Sequence, residues 1–250
     1  MQIVGYETSD SDPGLLVSDG GDVEFVSLSP GTELAYTLGD RHCAGTLTSD
    51  GHVPCDADDA PYCAQHRDTW VCARCTGTCL KDEMDCHERH AVYLAAFAPD
   101  RFKVGVTRLW RLETRLREQG ADRAAHVRTM ADGRVARAYE AEVAEEIPDR
   151  VRVPTKVAGL HREVDEAAWQ DLLDDFAVEA RFDFDYGLDL TDRPVVETLA
   201  TGTVRGVKGR VLVLDRGGST YAVDLRDLVG YEVETGATGR RLQSSLGAFG

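Results

Sequence analysis

All seven cysteines of this 250-residue chain fall between Cys43 and Cys86. A stretch so dense in sulfur points to cross-links, ions or free thiols. The odd count, and the lack of a basic, apolar leader in MQIVGYETSD, argue against a secreted disulfide framework. Free thiols are the bland alternative, and metal explains the clustering better. The candidate donors, in order, are Cys43, Cys55, Cys63, His66, Cys72, Cys75, Cys79, Cys86 and His90. CAQH from Cys63 and CARC from Cys72 each set two donors three positions apart, so one tight knuckle aims both at the same ion. Zinc takes four sulfur or nitrogen ligands in a tetrahedron. Nine donors therefore suit two sites with one residue spare. The expected first site is Cys43, Cys55, Cys63 and His66. The second takes Cys72, Cys75 and two of Cys79, Cys86 and His90. A closed four-ligand site stabilises a fold rather than catalysing a reaction. His42, His52 and His87 are expected at the surface.

The remainder reads as an α+β chain. Residues 1–41 show four short strand-like runs, MQIVGYE, GLLVSDG, DVEFVSL and ELAYTLG, separated by Gly and Pro turns. Residues 42–90 form the expected zinc module and residues 91–160 an α/β core, read as strand, turn, strand, helix, helix. Residues 161–194 are a helical segment, in which VDEAAWQDLLDDFAVEA buries Trp169, Leu172, Leu173 and Phe176. Residues 195–250 return to strands, with a hairpin turn over Asp215–Ser219. The two terminal β segments are short enough that one small barrel made from both is expected. No run approaches eighteen apolar residues, which excludes a spanning helix and points to a cytoplasmic protein.

Asp and Glu total 44 against 28 Lys and Arg, for a net charge of −16. Only Lys81, Lys103, Lys156 and Lys208 are lysines. This acid-rich, lysine-poor balance resembles that of proteins from salt-loving cells, where a Debye length of about 3 Å at molar salt suppresses long-range steering. A nucleic-acid partner is therefore compatible with the charge. From Asp100 to Arg137 the balance reverses to a local +5. In RLWRLETRLREQ, Leu109, Leu112 and Leu116 recur at helical spacing, and Arg108, Arg111 and Arg115 repeat it one residue away. The arginines are either a nucleic-acid backbone contact or a solvated face paired with Glu113 and Glu118.

VYLAAF and FKVGVT read as an antiparallel pair whose apolar face carries Val92, Leu94, Ala96, Phe102, Val104 and Val106. The opposite face then displays Tyr93, Lys103, Gly105 and Thr107, a surface able to accommodate a phosphate. In RVARAYEAEVAEEI, projection at about 100° per residue puts Glu140 inside the stripe of Ala136, Val143, Ala144 and Ile147. A carboxylate on a buried face needs an arginine, a metal or a proton.

GTC before Cys86, His90, VYLA, KVGVTR, TRLREQGA, GVKGRVLVL and GYEV together resemble domain-of-unknown-function family 2797, in a haloarchaeal-type member, over most of residues 43–235. The central part resembles the GIY-YIG nuclease core. That resemblance implies an active site built from Tyr93, Gly105, Arg115 and Glu140, with Lys103 standing where a second tyrosine is usual. It also implies phosphodiester hydrolysis with Mg²⁺ or Mn²⁺ at Glu140. A zinc-stabilised module that binds RNA or DNA without cutting, and a protein-interaction scaffold, are the other expectations.

Overall fold

The computed structural model of this chain describes residues 1–8, 12–67 and 87–239. The four alternating runs at the start become β1 (Gln2–Glu7), β2 (Gly14–Asp19), β3 (Asp22–Ser27) and β4 (Glu33–Arg41). A small hairpin follows, β5 (Thr46–Thr48) with β6 (Gly51–Val53). The described residues within Met1–Asp68 and Tyr186–Gly250 form one compact unit, and those within Thr69–Asp185 form another, inserted in sequence between its halves.

The inserted unit is a four-stranded sheet in the order β10-β9-β7-β8. Its strands are β7 (His90–Phe97), β8 (Arg101–Arg108), β9 (Arg123–Met130) and β10 (Ala180–Asp183). A 3₁₀ turn, Leu109–Arg111, leads into α1 (Leu112–Gln119), and α2 (Gly133–Val143), α3 (Val153–Gly159) and α4 (Glu166–Leu173) follow in order. All eight residues of β7 are buried because the sheet is covered on both faces. Val92, Leu94 and Ala96 join one core with Val104, Ala136, Trp169 and Leu173. Ala91, Tyr93, Ala95 and Phe97 join the other with Leu112 and Leu116 of α1. Each buried leucine contributes about 1.5–3 kcal/mol, enough to seat α1 on the sheet.

The expected β7–β8 register holds, with Val92 opposite Val106, Leu94 opposite Val104 and Tyr93 opposite Gly105. Two readings need correction. RAAHVRTM, absent from the strand, turn, strand, helix, helix order expected of this stretch, is the strand β9 and pairs with β7 over most of its length. The helix carrying Glu140 stops at Val143, and Ile147 is buried in the turn beyond it. Asp132 starts that helix by accepting the Arg134 and Val135 amides at 2.9 Å. The amphipathic reading of Trp169 holds, but its helix ends at Leu173 and β10 begins at Ala180.

The chain then completes the outer unit with β11 (Val195–Val196), β12 (Ala200–Lys208), β13 (Val211–Arg216), β14 (Ser219–Asp224), α5 (Leu225–Leu228) and β15 (Tyr231–Thr235). The β13–β14 hairpin turns at Gly217 and Gly218, both at positive φ, as a two-residue turn of that hand requires. No closed barrel forms. The strands make one open nine-stranded sheet, β11-β14-β13-β12-β4-β15-β1-β2-β3. N- and C-terminal strands interleave, with β4 between β12 and β15 and β15 between β4 and β1. A single core joins Leu15 and Val17 of β2 to Tyr221 and Val223 of β14. Strands distant in the order, β2 and β14, thus share one core, while the end strands β3 and β11 do not pair with each other. Among the described residues no helix is long and apolar enough to cross a membrane.

Candidate metal centre and ionisable pocket

In the outer unit, Cys43 follows β4, Cys55 follows β6, and Cys63 and His66 share the next turn. Their donor atoms lie within 4.8 Å of one another. His66 Nδ1 is 3.3 Å from both Cys43 Sγ and Cys63 Sγ. The edges of a zinc tetrahedron with these ligands are roughly 3.5–3.8 Å, so this Cys₃His group can hold a zinc ion with little adjustment. These are the four residues expected from their spacing. The CAQH knuckle forms through the His66 amide donating to the Cys63 carbonyl at 3.1 Å.

The backbone favours thiolate at this site. The Cys63 amide donates to Cys43 Sγ at 3.3 Å. Burial pushes the Cys63 thiol up, but the Gln65 and His66 amides, with Cys43 and His66, bring it down to about 7. For Cys55, the Ala57 amide lowers the thiol, and burial with the neighbouring Cys43 and Cys63 sulfurs outweighs it and raises the thiol.

An outer layer of contacts was not legible from spacing. His52 is buried, not superficial, and bridges Ser18 Oγ of β2 at 2.9 Å to the Ala44 carbonyl at 2.8 Å. His42 is half-buried and meets the Cys55 carbonyl at 3.0 Å. Gln2 Nε2 donates to the Cys43 carbonyl at 3.3 Å. The only sequence signal was the placement of His42 beside Cys43 in RHCAG.

Cys72, Cys75, Cys79 and Cys86 of the second expected site lie outside the described residues. His90 opens β7, with Nδ1 2.7 Å from the Glu88 carbonyl. Donation by Nδ1 to that carbonyl leaves the lone pair on Nε2, the form suited to a ligand. Among the described residues it has no companion donors.

The inserted unit brings Tyr93, Lys103, Arg115 and Glu140 into mutual electrostatic range. Gly105 makes room for the phenol: a Cβ there would sit 2.5 Å from both Cζ and the hydroxyl of Tyr93. Tyr93 is 1% exposed, so the phosphate-ready face expected around it is instead covered by α1. Gln119 Nε2 donates to the phenol oxygen at 2.6 Å. Burial pushes the phenol up, against the pull of Arg115 and of the Gln119 hydrogen bond. Lys103 Nζ lies 5.9 Å from the Tyr93 ring centre. Burial, aided by Arg115, brings its ammonium down to about 8, although Glu140 and Asp149 oppose the change.

Glu140 reaches the outer edge of β8. Its carboxylate accepts the Val106 amide, and the Val104 amide on the same edge donates to the Pro148 carbonyl at 3.0 Å. Burial raises the Glu140 carboxyl, against Arg137, Lys103 and the Val106 amide. One amide leaves a carboxylate with further lone pairs to offer. The arginine stripe also carries the bland pairing. Arg111 and Arg115 share Glu118 at 2.7 and 3.1 Å, and Arg117 pairs with Glu113 at 3.1 Å. Half-exposed pairs of this kind contribute about 0–1 kcal/mol each. Arg108 lies 3.8 Å from Glu88.

The profile of a family described as protein of unknown function (DUF2797) matches residues 54–233. No curated protein and no solved structure matches the chain.

Proposed function

This chain belongs to the DUF2797 family of proteins of unknown function, and we propose that it acts on nucleic acid as a divalent-metal-dependent phosphodiesterase with a GIY-YIG-like core. The support is the convergence of Tyr93, Lys103, Arg115 and Glu140 around a phenol that only a glycine partner strand can admit. A phenol, a tunable amine, a guanidinium and a partly buried carboxylate are the groups that phosphodiester hydrolysis needs.

Each side chain then has a role. Glu140 would hold Mg²⁺ or Mn²⁺, an ion that would supply polarisation of a phosphate oxygen and a lowered pKa for bound water. Arg115 faces the charge that builds on the non-bridging oxygens. Tyr93 orients the attacking water, since its raised phenol makes a poor base. Lys103, brought down to about 8, is the better proton acceptor. The water oxygen would bond to phosphorus as its proton passes to the neutral Lys103 amine, and the P–O bond to the leaving oxygen would break with its electron pair going to that oxygen, which takes a proton from solvent. The Cys43, Cys55, Cys63 and His66 zinc is structural. A second zinc would be held by Cys72, Cys75 and two of Cys79, Cys86 and His90. Arg108, Arg111 and Arg115 contact the backbone without choosing sequence.

The near-complete burial of Tyr93 favours one other reading, a module that binds RNA or DNA without cutting it. Cleavage of labelled RNA and DNA with Mg²⁺ or Mn²⁺ separates the two. The phosphodiesterase reading expects Glu140→Ala to lower cleavage at least a hundredfold while a gel shift persists. Binding without cleavage by the wild type would replace that reading with the binding module.

A further inference from the structure

We propose that Trp110 is a stacking platform for an unpaired nucleic-acid base. The inference rests on the nucleic-acid reading above and adds to it a preference for single strands. Trp110 sits in the 3₁₀ turn before α1 and is 69% exposed, the most exposed large apolar side chain among the described residues. Leaving an indole in water forfeits the burial that usually places tryptophan inside a protein. Its orientation is nonetheless set, because Nε1 donates to Glu88 Oε2 at 2.9 Å. The ring edge is held while much of the surface stays open.

The surrounding charges indicate the partner. The guanidinium carbons of Arg108 and Arg111 each lie 5.9 Å from the ring centre. Stacked carbon atoms approach to about 3.5–4.0 Å, so these arginines lie over the ring without being in stacking contact with it. Arg108 also offsets the charge of Glu88. The stretch from Asp100 to Arg137 carries a local +5 in a chain of −16, so anions are attracted here against the charge of the whole protein. An aromatic face between guanidiniums suits a base with its phosphates alongside, and every base has a face to offer. A base paired inside a duplex cannot present that face, so the ligand is unpaired.

The test titrates the full chain at low salt with short labelled single strands of DNA and of RNA, and with the matching duplexes. Anisotropy gives affinity, and indole fluorescence reports stacking. Wild type is expected to show quenching with single strands. W110A is expected to bind them about tenfold more weakly, with duplex affinity and circular dichroism unchanged. W110F, which keeps a ring, should recover most of the loss. Single-strand binding by W110A equal to wild type overturns the proposal, and so does an equal loss on single strands and duplexes. If wild type binds neither, the nucleic-acid reading itself fails along with the platform. The DNA and RNA arms identify the sugar.

Discussion

At the scale of single residues, the packing of Tyr93 depends on the side chain that Gly105 lacks. Gly105→Ala puts a methyl group 2.5 Å from two atoms of a buried phenol. The expected cost is about 1–3 kcal/mol, read as a lower urea midpoint with an unchanged slope. An unchanged midpoint would show that the phenol is not confined. Lys103 gives a second expectation. Its amine accepts a proton only when neutral, and the neutral fraction grows as pH rises through about 8. Cleavage should therefore climb across that pH and level off above it, and Lys103→Met should remove the climb. A wild-type profile flat through pH 8 contradicts the role. Glu140 was legible because helical projection needs only local spacing, and α2 does present it near β8. The burial of Tyr93 was not legible, because it depends on α1 folding back over the sheet from twenty residues away.

At the scale of elements, the candidate metal centre depends on strands that supply none of its sulfurs. His52 ties β2 to the loop that begins at Cys43. His52→Ala should weaken zinc binding about 10–100-fold in competition with a chromophoric chelator, the usual cost of losing an outer hydrogen-bond partner. Equal affinity would reduce His52 to core packing. The four ligands could be read from sequence because a knuckle is local and its spacing is diagnostic. β9 could not, since RAAHVRTM is rich in residues that suit a helix, and its strand conformation comes from pairing with β7 and β10.

At the scale of the whole molecule, the outer sheet is built by interleaving. β15, near the end of the chain, pairs with both β4 and β1, and a pairing over such separations leaves no local trace in the residues involved. The individual strands were legible and their order was not, which is why an open sheet stands where a barrel was expected. Zinc content is the test at this scale. Two equivalents per chain are expected, falling to one in Cys63→Ser, and a wild-type value of one would remove the second site. The proposed function requires the four side chains from β7, β8, α1 and α2 to meet around one divalent cation held by Glu140. Manganese titration of protein carrying ¹³C-labelled tyrosine tests that directly, with Tyr93→Phe identifying the resonance. Paramagnetic broadening of the Tyr93 signal in wild type, lost in Glu140→Ala, is the predicted result. A Tyr93 signal that manganese leaves sharp, or broadens equally without Glu140, would contradict it.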